Sequence, residues 1–292
     1  MIDPARLITL PVGEPGSGRI RYGAAMALFR RGRLPEAALE VYRICASLDH
    51  QDPVPLLHER GLAAPAPVSR PAEAEIRALL AEAAAYLATL PGDGALEVRA
   101  GLARWSGGAL RPVEATGGAG EAARLAALLE EHLPVALTAL GETHPALAAR
   151  IEAAAPHLDW RAYGGYPPDR IGAGFAAGHA YASLFGDGPI PAEDFDFGLF
   201  LIAPGLLYRD HRHPAPELYA PLTGPHGWRF GPGRPLMLKS AHEPVWNDPM
   251  VPHLTKVGAL PFLCLYGWTR DVDALAEVVD APDWDELEAM SL

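Results

Sequence analysis

The sequence predicts an α+β protein, a mainly helical first half followed by an all-β second half built as a barrel or sandwich. Three observations lead there. Up to Pro156 the chain is rich in Ala, Leu, Glu and Arg at helical spacing. From Trp160 onward, aromatic residues, Gly, Pro and His rise while apolar runs shorten. Those short runs are separated by turn residues, the pattern of many-stranded β folds. The expected division is a helical N-terminal domain over 1–157 and a β domain with short C-terminal helices over 158–292.

Taken in order, Arg19–Arg30 and Pro35–Ala46 read as the first two helices. Ser69, Arg70 and Pro71 followed by Glu73 form a helix start with Pro in the first turn, and the pattern runs on to Leu90. Glu121–Leu133 is a further helix, ended by Pro134, and His144–Ala155 is another. Gly/Pro breaks such as Pro91-Gly92-Asp93-Gly94 divide them, as in a helical bundle. The strand candidates are Phe195–Ala203, Leu218–Leu222, Trp228–Phe230, Pro235–Lys239, Leu254–Val257 and Pro261–Trp268. Asp271–Val279 returns to helix, and Asp283–Met290 is a shorter one.

Composition excludes several classes. A net charge of −12 with only two lysines, Lys239 and Lys256, argues against nucleic-acid binding, which needs clustered cations. No apolar stretch is long enough to span a bilayer, and the N-terminus lacks a basic segment followed by an apolar one, so a soluble cytoplasmic protein is expected. Cys45 and Cys264 lie far apart in apolar or mixed runs and read as two buried free thiols. The loop Gly13–Ile20 has the glycines of a phosphate loop but Arg19 and Ile20 where Lys and Ser/Thr are required, so it reads as a turn. Asp194 and Asp196, flanking Phe195, read as a solvated strand edge.

The chemistry concentrates between Gly205 and Gly224. His211 and His213 are two apart, so on a strand both imidazoles enter one cavity. A bend at Pro214–Pro216 then returns Glu217 to it. Two imidazoles and a carboxylate suit one divalent transition metal (Zn, Fe, Mn, Co or Ni) rather than Ca or Mg. His253, at the start of a strand candidate, is the expected fourth ligand; His242 and His226, in a polar stretch and a turn, are expected to face solvent. Tyr219, two residues beyond Glu217, faces the same cavity and is a candidate base, because a nearby divalent cation favours the phenolate. Tyr208, three before His211, reaches the cavity only if the Arg209-Asp210 step bulges. Arg212, between the histidines, faces away.

This run matches the first cupin motif, G-x5-H-x-H-x3-E-x6-G, at every position. The match implies a cupin β-barrel of jelly-roll type. More narrowly, Tyr208-Arg-Asp-His211-Arg-His213-Pro-Ala-Pro-Glu217-Leu-Tyr219, with His253 and Trp268 further on, resembles the signature of cupin dimethylsulfoniopropionate (DMSP) lyases. The resemblance covers Leu158 to Val272, and the N-terminal half only in general character. It implies a carbon–sulfur lyase that takes a small-molecule carboxylate, DMSP, to dimethyl sulfide and acrylate. Tyr219 and Tyr208 would be catalytic, with Tyr219 able to ligate the metal as well. Trp268, Trp228 and Tyr166, with Tyr163, are candidates for an aromatic surround of the sulfonium. The extra N-terminal helices are expected to gate the site, form a homodimer or bind something else. Two other classes fit the motif: a cupin oxygenase or isomerase acting on another small carboxylate, and a non-catalytic metal-bound binding module.

Overall fold

The computed structural model describes residues 7–10, 12–30, 32–64, 70–111 and 118–292. Ser69, expected to open a helix, lies outside them. The chain divides into two compact units, Met1–Glu73 with Ala109–Pro112, and Ala74–Gly108 with Val113–Leu292.

The first unit holds α1 (Ser17–Arg30), α2 (Glu36–Ile44) and α3 (Pro53–Glu59). Ala25, Leu28, Ala38, Val41 and Leu57 recur at helical spacing and form its core. Asp52 caps α3 by accepting the Val54 amide at 2.9 Å, with Pro53 at the first helical position. Of the glycine-rich loop, residues 13–16 form the expected turn and Ser17–Ile20 open α1. The loop amides at Gly16 and Gly18 donate to the carboxylate of Asp49 at 2.8 and 2.9 Å, so the chain itself occupies the anion position.

The second unit opens with the part of α4 (Arg70–Leu87) from Ala74 onward, followed by α5 (Asp93–Trp105), α6 (Ala119–Gly141) and α7 (Pro145–Ala154). Pro134 does not end α6. An internal proline costs about 3 kcal/mol; the burial of Leu133, Ala136 and Leu140 on either side of it outweighs that. Helix α5 approaches the sheets through glycines. A Cβ at Gly94 would stand 2.3 Å from Trp246, and one at Gly101 2.2 Å from Phe195. Two short helices, α8 (Pro168–Ile171) and α9 (Ala173–Ala177), lead into the β region.

Ten strands follow: β1 (His179–Ser183), β2 (Asp196–Ile202), β3 (Leu207–Arg212), β4 (Glu217–Pro221), β5 (His226–Arg229), β6 (Met237–Lys239), β7 (Val245–Asn247), β8 (His253–Lys256), β9 (Phe262–Trp268) and β10 (Glu277–Val278). They form two antiparallel jelly-roll sheets, ordered β1-β2-β9-β4-β7 and β10-β3-β8-β5-β6. Each strand candidate read from the sequence lies within a residue or two of one of these. The helix expected over Asp271–Val279 does not form. Asp271 has a φ of 55°, and Glu277–Val278 instead pair with Arg212 and His211 at the free edge of β3. An unpaired edge strand offers hydrogen bonds that an exposed, short helix cannot match. The last helix, α10 (Trp284–Ala289), covers the outer face of the second sheet, where Leu287 meets Leu207 and Leu254.

Both cysteines are free and buried. Among the described residues, no helix is long and apolar enough to cross a membrane.

Candidate metal centre

Strand register defines the inner surface. Residues directly opposite in antiparallel strands share a face. In the first sheet one row reads Asp196, Trp268, Glu217, Asn247, and the next reads Gly198, Tyr266, Tyr219, Val245. In the second sheet Tyr208, Thr255 and Trp228 are aligned, as are His211 and His253. The apolar members Phe200, Ile202, Phe262 and Val245 close the core around them.

The histidines converge. One ring nitrogen from each of His211, His213 and His253 lies within 4.8 Å of the others, and all three residues are buried. Their Nδ1 atoms are tied to backbone carbonyls close by in sequence: Arg209 at 2.8 Å, Ala215 at 2.7 Å and Val251 at 3.0 Å. A carbonyl only accepts, so each Nδ1 carries its proton and each ring turns its Nε2 to the site. The Nε2 atoms of His211 and His253 have no hydrogen-bond partner among the described residues. Burial, then the neighbouring His253 and His213, holds His211 well below the ordinary imidazole range, so it stays neutral.

Glu217 completes the set from the other sheet. Its Oε2 stands 3.3 Å from His213 Nε2 and 3.6 Å from His253 Nε2. Side chains hold it there: Asn247 Nδ2 donates to Oε2 at 3.0 Å and Trp268 Nε1 to Oε1 at 2.7 Å. A buried carboxylate converging with three imidazole nitrogens is a setting that favours a cation among them. Three imidazoles and a carboxylate so arranged could hold one divalent transition metal.

The flanking residues fall as follows. Tyr208 reaches the inner face because β3 bulges. Tyr208 opposes Thr255 and His211 opposes His253, so three steps on β3 match two on β8. Its ring lies between Phe175 (3.9 Å between centroids) and His211 (3.8 Å), and its hydroxyl meets that of Tyr166 at 3.0 Å. Tyr219 is buried, with Trp228 at 5.6 Å. Burial, and then the charge of Glu217, push its phenol well above the ordinary range. Trp268 stacks on His213 at 4.4 Å. Tyr166 lies 5.9 Å from His211 and 4.8 Å from Tyr163. Arg212 faces away and pairs with Glu277.

Three expectations are corrected. His226 is buried against Phe262, and its Nδ1 accepts the Gly258 amide at 3.1 Å. His242 is half-buried between the Tyr86 and Thr143 hydroxyls, each at 3.0 Å. Neither faces solvent, because a histidine in a turn still satisfies both nitrogens when neighbouring hydroxyls and amides are in reach. Asp196 is not a solvated edge either, since its Oδ1 is buried and its Oδ2 accepts from Ser183 and Tyr266. Asn247, which orients Glu217, went unnoticed in the sequence. Only strand pairing sets it opposite Glu217, and spacing along the chain carries no sign of that.

Fold and centre together define a protein of the cupin class, two jelly-roll sheets enclosing a His/Glu site. Residues 121–264 match the family model described as dimethylsulfoniopropionate lyase. One of the crystal structures of the DMSP lyases RdDddP and RnDddQII superposes with a TM-score of 0.56 at 22% identity, covering 72% of this chain and 100% of that one. The DMSP lyase DddQ from Ruegeria pomeroyi gives 0.49 at 24% identity, over 71% and 97%. A cupin-like protein from Thermotoga maritima gives 0.32 at 18%, over 39% and 84%. No curated protein shows a significant sequence match to the chain.

Proposed function

We propose that this protein cleaves DMSP to dimethyl sulfide, acrylate and a proton, with Tyr219 as the base that removes the α-proton. The carrying observation is that Tyr219 lies on the same inner face as Glu217, two residues beyond it, in a surface shared with the converging imidazoles. Bound by His211, His213, His253 and Glu217, a divalent transition cation supplies Lewis acidity at the substrate carboxylate and a positive charge that favours the Tyr219 phenolate.

The chain's own residues do the rest. Tyr219 takes the α-proton; the C–H electron pair becomes the new C=C bond, and the C–S pair leaves with sulfur. Packing against Trp228, Phe200 and Phe262 limits the ring's freedom, so its oxygen is aimed before substrate arrives. Tyr208 is the second catalytic candidate. Its hydroxyl, bonded to that of Tyr166, offers a second proton-holding position. Trp268, Trp228 and Tyr166 supply aromatic walls around the bound substrate.

The test is headspace dimethyl sulfide from metal-loaded protein supplied with DMSP. Release by the wild type, reduced at least about 100-fold in Tyr219→Phe, is expected. No release above the Tyr219→Phe background sinks the proposal, and oxygen consumption with iron would favour an oxygenase instead.

A further inference from the structure

One polar cluster on the inner surface lies outside the metal centre. Ser183 on β1, Asp196 on β2 and Tyr266 on β9 form a triangle. Ser183 Oγ and Tyr266 Oη donate to Asp196 Oδ2 at 3.2 and 3.1 Å, and stand 2.8 Å from each other. The other carboxylate oxygen, Oδ1, is buried with no partner among the described residues. Leaving a carboxylate oxygen so is costly unless something of opposite charge comes to it.

The cluster stands where the inner face opens. Inner positions of the first sheet are buried except Tyr181, Ser183, Asp196 and Trp268, which are half-buried. Aromatic rings border it, with Tyr181 and Tyr266 edge to face at 6.4 Å. Gly198, opposite both Ser183 and Tyr266, adds no side chain to the wall. Asp196 and Glu217 belong to one row, on strands either side of β9. Two strand spacings separate them by about 10 Å. A carboxylate, two methylenes and an onium head span about 6 Å, and the contact distances at the metal centre and at Asp196 fill the rest of that gap.

The geometry points to Asp196, with its Tyr266 and Ser183 supports, as the subsite that takes the cationic head of a short zwitterionic carboxylate. The assignment rests on the proposed reading of the metal centre as the place where the carboxylate binds. Burial pushes the Asp196 carboxyl up to about 7, and a cation against Oδ1 offsets that cost. The aromatic rings add attraction to an onium group without specifying its central atom. The negative charge therefore separates a sulfonium or ammonium acid from a neutral branched acid of equal shape.

Titration calorimetry on the metal-loaded full chain, buffered above that pKa, tests this with matched ligands. They are 3-(trimethylammonio)propanoate and 4,4-dimethylpentanoate, an isostere whose head group is an uncharged tert-butyl. The wild type is expected to bind the cationic ligand at least tenfold more tightly, about 1.4 kcal/mol. Asp196→Asn should bring the two affinities together while still binding the uncharged acid, which also reports that the variant is folded. Should Asp196→Asn not fold, Tyr266→Phe serves: it keeps the carboxylate, frees Oδ2 of one donor, and should keep or increase the preference. Equal affinities in the wild type, an undiminished preference in Asp196→Asn, or a preference lost in Tyr266→Phe overturns the assignment. Failure of dimethyl sulfide release would sink the proposed reaction but leave this ratio measurable. Loss of both ligands' binding on metal removal would in turn show that the carboxylate end is anchored as assumed, and binding indifferent to metal would remove the basis for the spacing.

Discussion

The two faces of the β3-β8-β5 strands carry similar amounts of buried polar chemistry and treat it oppositely. On the outer face the strand charges are matched. Arg229 pairs with Asp210 and with Asp283, Trp284 Nε1 also donates to Asp210 at 2.9 Å, and Lys256 Nζ donates to the carbonyls of Gly205 and Glu288 at 2.7 and 3.0 Å. On the inner face His211 Nε2, His253 Nε2 and Trp228 Nε1 are buried without partners among the described residues. Matched groups fix a structure; unmatched ones leave room for a ligand. The bulge in β3 lets both exist within four residues, with Asp210 facing outward between Tyr208 and His211, which both face in.

The sharpest way to break this contrast is to remove one inner nitrogen. His253→Ala should lower metal affinity by more than about 100-fold, since even groups that only support a ligand are worth 10–100-fold. Its apo form should stay folded with a modest loss of stability, because the buried ring and its Nδ1 bond to Val251 go together with an Nε2 that had no hydrogen-bond partner. Metal content after dialysis, with melting curves of the apo proteins, checks both halves. On the outer face the order reverses. Arg229→Met strands Asp210 as a buried charge and should cost about 3–5 kcal/mol of stability, read from urea midpoints, while the folded fraction still binds metal. Combining it with Asp210→Leu should recover much of that loss.

A smaller effect separates the two sheets. The imidazoles are oriented by carbonyls at most two residues away, whereas Glu217 depends on Trp268 and Asn247, far along the chain. Trp268→Phe keeps the stacking on His213 but loses the indole donor, and should weaken metal retention about 10-fold with the fold intact. An unchanged affinity would mean that Glu217 does not take part.

That division also explains what the sequence made legible. His211, His213 and Glu217 could be read because metal chemistry fixes their spacing along one run of chain. Gly205 and Gly224 belong to the same run for backbone reasons. Gly205 has a φ of +72°, and a Cβ at Gly224 would stand 2.4 Å from the Ala241 amide. The bulge that turns Tyr208 inward was legible only as a condition, since register is a property of two strands. Asn247 and the Asp196 cluster were not legible at all, because their partners lie 30 and 70 residues away. Pro134 misled because tertiary packing can carry a helix through a proline that local rules would end.

The smallest expected effect concerns acid. Burial lowers His179 and His226 to about 4, below the unfolded value near 6.5. Between those values the unfolded chain binds more protons, so the stability they contribute is full above about 6.5 and is lost as pH falls toward 4. Each should add a slope of up to about 1.4 kcal/mol per pH unit. Urea midpoints across this range should fall, and fall less steeply in His179→Gln.

Most directly, the central claim is tested by proton NMR of the metal-loaded protein with DMSP. The account expects acrylate vinyl signals and dimethyl sulfide growing in equal amounts, and neither in Tyr219→Phe. Unchanged DMSP, or 3-hydroxypropanoate in place of acrylate, would contradict it.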